Sequence, residues 1–334
     1  MRKEAKNEIR IENISLTNIH HQSDTGSPIC SIIQLESGVV IIGLFNGKIN
    51  LYSPTNFENP TSSLKIDDYP ISCIIQVQDD QLMCCSGSFI YLILENKLKK
   101  NDYNKKERIN VSNISGRINK IIILPDDSLI IGDNRNISLF RKKEKKINYI
   151  KQIKIKSAIN DLCLIQNNMV LGASIEKKSL IFVDIDKFVQ NYEMKNIKFY
   201  DDIKFGKIIC KLNKNIVGVG GCKGLIYLIS LKNKQFVANV NIRYCDEIIT
   251  SMFAMPNGNL LCGVSILVKE KDSNQEYINS NLVQYSFVNN VFKEIYRKLN
   301  AHEDIINNVC EIINYRGIGE IGSISLDSKF KVWN

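Results

Sequence analysis

The stretch AHEDIINNVCEIINYRGIGEIGSISLDSKFKVWN, Ala301 to Asn334, decides how this chain is read. It opens on Ala-His, runs into an apolar strand, turns, and continues as a Gly/Ser-containing strand. An Asp-containing tight turn follows, then a short strand ending at Trp333, the only Trp of the sequence. Three strands stand where a four-stranded unit needs four. The opening residues Ile9 to Thr17, IRIENISLT, alternate apolar and polar and are the expected fourth strand. Laid beside Phe330 to Trp333, they complete one unit from both ends of the chain and leave no exposed seam.

Upstream of this stretch the same pattern recurs. The unit starts are PICSIIQL (Pro28 to Leu35), PISCIIQV (Pro70 to Val77), RINKIIIL (Arg117 to Leu124) and AINDLCLI (Ala158 to Ile165). KFGKIICK (Lys204 to Lys211), IITSMFAM (Ile248 to Met255) and IINNVCEI (Ile305 to Ile312) complete seven. With Ile29, Ile71, Ile118, Ile159, Phe205, Ile249 and Ile306 as equivalents, the spacings are 42, 47, 41, 46, 44 and 57 residues. A period of about 40–45 residues with four short strands per unit marks propeller blades, whereas helical repeats would carry a 3.6-residue period.

Each start leads into a polar turn and a second apolar strand, often ending at Gly: Gly43, Gly132, Gly172 and Gly263. A third strand closes a tight hairpin, as in NGKINLYS (Asn46 to Ser53), where Asn-Gly is a strong two-residue turn signal. Fourth strands are expected at SSLKID, RINVSN, IKQIKIK, IKFYDD, QFVANVNI and VFKEIYRKLN. The fold class is therefore all-β, one seven-bladed propeller. Its blades are expected at about 18–67, 68–114, 115–156, 157–202, 203–246 and 247–300, with 301–334 joined by 9–17.

Composition agrees with a single globular unit. A chain of 334 residues can bury roughly 75% of its unfolded surface. Hydrophobic content is 44% and charged content 24%, and no apolar run reaches the ~18 residues of a membrane-spanning helix. The basic start MRKEAKNEIRIEN leads into no apolar stretch, so it does not read as a secretory signal. Ten Cys are scattered through apolar runs without a CxxC pair, which points to buried thiols in a reducing compartment. A cytoplasmic location follows as an expectation, with the nucleus compatible.

At this point the chain resembles the WD40-repeat family over essentially its whole length. His302 stands where the family has Gly-His, with Ala301 in place of Gly. Asp327 matches the turn Asp, Ser323 or Ser325 the strand hydroxyl, and Trp333 the Trp of Trp-Asp, with Asn334 in place of Asp. The resemblance implies that these side chains form one internal hydrogen-bond network. The other units depart from the motif, although Tyr52 and Phe140 hold the aromatic position. The resemblance also implies a protein-interaction scaffold or adaptor within a larger complex, monomeric by itself, without catalysis or cofactor.

The residues themselves give little sign of catalysis. His20-His21 has no other His or CxxC beside it in the sequence and reads as a polar loop before the first strand rather than a metal pair. Asp67-Asp68, Asp79-Asp80, Asp126-Asp127 and Asp201-Asp202 fall in expected turns, where Asp is favoured for its local hydrogen bonds. VGVGGCKG (Val217 to Gly224) lacks the spacing of a phosphate loop and reads as strand plus turn.

Two kinds of segment are candidates for partner contact. LVKEKDSNQEYINSN (Leu267 to Asn281) lengthens the hairpin between the second and third strands of unit six; its Lys269, Lys271, Asp272, Glu276 and Tyr277 are the candidate contacts. The run KLKKNDYNKKER (Lys97 to Arg108) supplies Lys99, Lys100, Lys105 and Lys106, and RKKEKK (Arg141 to Lys146) adds a second basic run. With a net charge of +9, these open an alternative expectation: an anionic partner, either a phosphoinositide membrane surface or nucleic acid.

Overall fold

The computed structural model describes residues 16, 18–78, 81–94, 107–109, 114, 116–143, 146–155, 158–166, 169–174, 180–194, 208–221, 224–231, 235–241, 247–269, 276–288 and 291–334. Regular structure among them is entirely β, in seven antiparallel four-stranded sheets. Blade one is β2 (Ile29–Gln34), β3 (Val40–Leu44), β4 (Lys48–Tyr52) and β5 (Ser62–Lys65). Blade two is β6 (Ile71–Gln78), β7 (Gln81–Ser86), β8 (Phe89–Leu94) and β9 (Glu107–Ile109). Blade three is β10 (Ile118–Ile123), β11 (Leu129–Asp133), β12 (Asn136–Lys143) and β13 (Lys146–Lys154). Blade four is β14 (Ile159–Gln166), β15 (Met169–Ser174), β16 (Leu180–Asp184) and β17 (Val189–Met194). Blade five is β18 (Ile208–Lys211), β19 (Ile216–Gly220), β20 (Leu225–Ser230) and β21 (Gln235–Asn241). Blade six is β22 (Glu247–Ala254), β23 (Leu260–Lys269), β24 (Glu276–Val288) and β25 (Val291–His302). Blade seven joins β26 (Ile306–Ile313), β27 (Gly319–Ser325) and β28 (Lys329–Trp333) to β1 (Ile19–Asp24).

The first strands of successive blades lie side by side, β2 next to β6 and so on to β26, which returns to β2. The ring is therefore closed, with first strands innermost and fourth strands outside. The closing strand differs in place from the sequence expectation. It is Ile19–Asp24, with Ile19 opposite Trp333 and Asp24 opposite Lys329. Residues 9–15 and 17 lie outside the described residues. Leu16 is buried with Trp333 and Ile321 instead of lying on the ladder. Blade one accordingly starts at β2 rather than at residue 18. The fourth strand of blade four is β17 rather than IKFYDD, which lies outside the described residues, as does Phe205.

The repeat seen in the sequence has a packing cause. Ile29, Ile71, Ile118, Ile159, Ile249 and Ile306 are all fully buried, and each is followed by a bulge in its inner strand. The extra residue kinks the strand where it crowds its neighbours around the ring. The Gly ending several second strands faces the Ile of the next blade. A Cβ on Gly43 would sit 2.5 Å from Ile71, and one on Gly263 2.8 Å from Ile306. Gly132 and Gly220 stand in the same way against Ile159 and Ile249. The glycines thus set how closely neighbouring blades approach.

Polar side chains tie the same seams. The Ser31 hydroxyl donates to the Ile71 carbonyl (2.9 Å), and Ser72 donates to Ile118 (2.6 Å). Asn119 Nδ2 donates to Ile159 (3.0 Å). Asn307 Nδ2 donates to Ile29 (2.6 Å), which joins blade seven to blade one.

Candidate functional site

Blade seven brings the family-type residues into one chain of hydrogen bonds. Trp333 Nε1 donates to Ser323 Oγ at 2.8 Å, and Ser323 Oγ lies 2.8 Å from His302 Nε2. His302 Nδ1 lies 2.8 Å from Asp327 Oδ2. Indole N–H can only donate, so the Ser323 proton points to His302 and the imidazole carries its own proton toward Asp327. Backbone amides of Glu303 and Lys329 complete the Asp327 carboxylate. His302, Ser323 and Trp333 are fully buried, and every polar atom named here has a partner. Ser323, not Ser325, is the relay hydroxyl. Ser325 instead caps the turn, donating to the Asp304 carbonyl and accepting the Asp327 amide.

Charge in this network is asymmetric. Burial lowers the His302 pKa below its ordinary value, against the pull of Asp327. Burial would raise Asp327, but hydrogen bonds from His302 and the two amides hold it down at about 2. In the unfolded chain an imidazole titrates at about 6.5 and an aspartate at about 3.9. Between the folded and unfolded values the unfolded chain binds more protons, so stability falls with acidification. The contribution of His302 is whole above about pH 6.5 and is lost below it, and that of Asp327 is lost from about pH 4 toward 2. Urea midpoints are expected to decline as the pH falls below about 6.5. His302→Gln should flatten the first part of that decline.

A second constellation joins three blades. Asp161, on the inner strand of blade four, accepts the Leu162 amide at 3.0 Å and the Ile209 amide of blade five at 2.9 Å. Its Oδ1 also lies 3.2 Å from Lys120 Nζ on the inner strand of blade three. Asp161 raises the Lys120 pKa well above its ordinary value. Lys120 and Asp161 sit just past the bulge in successive inner strands, where Ser31, Cys73 and Ser251 stand in other blades. Neither residue was singled out from the sequence. The legible signal was a charge at one repeat position in neighbouring units, Lys120 and Asp161 being opposite in sign, with Lys207 at the same offset from Phe205.

The candidate contact segments divide sharply. In blade six the expected long loop is mostly ladder, because β23 and β24 pair without interruption from Leu260 opposite Tyr285 to Lys269 opposite Glu276. Lys269, Glu276 and Tyr277 are therefore strand residues near a hairpin end, while Lys271 and Asp272 lie outside the described residues. The three strands run 10, 13 and 12 residues. On the outer strand Val291, Ile295 and Leu299 are exposed, as is Leu267 beside the hairpin. Arg297 Nη1 reaches the buried Glu247 at 2.6 Å and so ties this outer strand to the innermost one.

Lys99, Lys100, Lys105 and Lys106 lie outside the described residues. Arg141 to Lys146 forms a hairpin end, with Lys143 opposite Lys146 and Arg141 exposed. Acidic pairs at turns behave as turn residues: Asp126 accepts from the Ser128 amide and hydroxyl, and Asp67 accepts from the Asp68 amide and the Tyr91 hydroxyl. Asp79-Asp80 and Asp201-Asp202 lie outside the described residues. Gly218 and Gly220 are strand residues of β19. His20-His21 is not loop but part of β1, with His20 on its bulge.

The eight described cysteines are free thiols. Burial pushes Cys163 up to about 11 and Cys210 and Cys310 to about 12, so they are poor nucleophiles. Among the described residues no group of three His, Cys, Asp or Glu is placed to hold a metal ion.

This architecture defines a seven-bladed β-propeller. A chain in the crystal structure of the mitotic checkpoint complex superposes over 96% of this chain and 96% of its own length, with TM-score 0.73 and 12% identity. The WD40 β-propeller domain of Doa1 is similar over 92% of this chain and 93% of its own, with TM-score 0.66 and 12% identity. At that identity the likeness is one of fold. No protein-family model and no curated protein matches the sequence. No helix among the described residues is long and apolar enough to cross a membrane.

Proposed function

We propose that the chain is a non-catalytic protein-interaction platform, a cytoplasmic subunit of a larger assembly that is monomeric by itself. The observation that carries this reading is blade six. Its hairpin runs further than any other blade's described strands, and its outer edge strand presents Val291, Ile295 and Leu299 to solvent. A long edge strand with exposed apolar side chains is an invitation to pairing that unpartnered proteins avoid. A closed ring of fixed blades holds such a surface ready, so little ordering cost falls on binding. Lys269, Glu276 and Tyr277 at the hairpin end are assigned to the same surface, and the candidate contacts Lys271 and Asp272 lie outside the described residues.

The test is affinity capture at high salt from the native lysate. It compares wild type with a variant shortened between Leu267 and Ile278 and with a Val291→Ser, Ile295→Ser, Leu299→Ser variant. Defined protein partners lost with both variants, at unchanged circular dichroism, are expected. An unchanged partner set would remove blade six from the account.

One observation favours a second reading, the anionic ligand. The run holding Lys99, Lys100, Lys105 and Lys106 and the Arg141 to Lys146 hairpin both connect third to fourth strands, in neighbouring blades two and three. Connections of that kind in neighbouring blades leave the ring on one face, and this reading assigns both basic runs to it, although Lys99, Lys100, Lys105 and Lys106 themselves lie outside the described residues. Sedimentation with phosphoinositide vesicles, or retention by nucleic acid, that falls steeply with salt and with Arg141→Glu, Lys143→Glu would favour this reading.

A further inference from the structure

At the seam where the ring closes, a cavity of about 510 Å³ opens between blade seven and blade one. Its walls come from the first-to-second strand turn of blade seven (Tyr315, Arg316, Ile318), from His20 and His21 of the closing strand, and from Phe57 beyond the third strand of blade one. Glu320 also lines it and is 4% exposed. One carboxylate oxygen, Oε1, lies 2.8 Å from His20 Nδ1. The other, Oε2, is buried and has no hydrogen-bond partner among the described residues, and the same holds for His21 Nδ1. The nearest carboxylate to His21 Nδ1 among the described residues is that of Glu58, at 3.6 Å, beyond hydrogen-bond length.

A buried carboxylate oxygen without a donor is costly, and a donor brought to it recovers that cost. Among the described residues no other buried carboxylate oxygen is left in that state, and both oxygens of Asp161 and of Asp327 are engaged. We propose that this cavity is a recognition site for an arginine side chain presented by a partner polypeptide. The proposal rests on the interaction-platform reading and gives that partner a chemistry.

A guanidinium is flat and carries five N–H donors in a fixed fork. It can donate to Glu320 Oε2 and to His21 Nδ1 in the tautomer protonated at Nε2. The walls offer its planar face aromatic surface, since the His20 and His21 rings lie 4.2 Å apart at a 42° tilt and Phe57 meets His21 edge-on. Exposed Tyr315 and Ile318 at the rim give the flanking residues of a peptide an apolar footing. Glu320 disfavours an anion, and among the described residues its oxygens have no third metal-ligating group beside them. Among the residues lining the cavity, Arg316 is the one opposing charge. It is exposed, its Nε donates to the Tyr315 hydroxyl, and solvent screens it.

The experiment is a titration of the full chain with N-acetyl-Gly-Arg-Gly-amide, followed by NMR or calorimetry. The peptides with citrulline or lysine in place of arginine, and zinc chloride, are titrated beside it. Saturable binding of the arginine peptide is expected, weakened at least about tenfold by Glu320→Gln, as suits a lost hydrogen bond to a charged group. Ile318→Lys, an exposed change that leaves the core intact, should weaken it similarly by placing a cation at the rim. Equal binding of the citrulline or lysine peptide, preference for zinc, or no binding of the arginine peptide would overturn the proposal. Capture through blade six is measured on the same Glu320→Gln protein. If capture stands while the arginine peptide fails to bind wild type, the cavity assignment falls and the platform reading does not. If capture fails while the arginine peptide binds as expected, the cavity assignment stands.

Discussion

Trp333→Ala is expected to cost about 3–5 kcal/mol of stability, among the largest effects of any single truncation in this chain. Trp333 is fully buried where blades six and seven meet, packed with Leu16, Leu261, Leu282, Ile306 and Ile321. Its strand is also the one that receives the closing strand, with Ile19 opposite Trp333 itself. Alanine leaves a cavity and removes the donor that Ser323 accepts, so packing and the polar relay fail together. Trp333→Phe separates the two causes. It keeps a ring of about two-thirds the size, opens a smaller cavity and loses the N–H, for an expected cost of roughly 1–2 kcal/mol. Urea unfolding followed by circular dichroism measures both. A Trp333→Ala loss no larger than that of Trp333→Phe would mean that the seam is not packed as described.

Asp161→Ala is the second large effect, at about 3 kcal/mol. The loss has two parts. The buried Ile209 and Leu162 amides lose this acceptor, and Lys120 loses its counter-charge. The Lys120 side chain is 41% exposed, so solvent screens its share and the amides carry most of the cost. Lys120→Met alone should therefore cost less than Asp161→Ala. The double variant should cost less than the sum of the two, because Asp161 and Lys120 act on one another. Strict additivity in that cycle would show that the ion pair contributes nothing to the junction of blades three and four.

Much of the ring was legible because one packing constraint repeats. A fully buried Ile before a bulge, with a Gly of the preceding blade facing it, leaves the same imprint at Ile71, Ile159, Ile249 and Ile306. The closing strand was assigned too early in the chain because IRIENISLT alternates well, while IHHQSD does not look like a strand. Periodicity reports which faces are buried, and β1 is an outer strand whose side chains are largely exposed. β17, VQNYEM, was passed over in favour of IKFYDD because its sequence does not alternate apolar and polar residues.

The relay in blade seven was legible because Trp, His and Asp occur together in only one unit. The choice between Ser323 and Ser325 was not, since alternation puts both on one face and only distance to His302 separates them. The cavity at Glu320 was invisible for another reason. His20, Phe57 and Glu320 lie in three separate segments of the chain, and only ring closure brings them together.

Ring closure is also the claim on which the cavity, the buried Trp333 and the fixed position of blade six all depend. Amide hydrogen exchange of the closing strand measures it most directly. Exchange at residues 19–24 is predicted to be slowed as strongly as in the outer strands β13 and β25, and to speed up when Trp333→Ala loosens the seam. Exchange there at the rate of an unstructured peptide, with the other outer strands protected, would contradict a ring closed by the start of the chain.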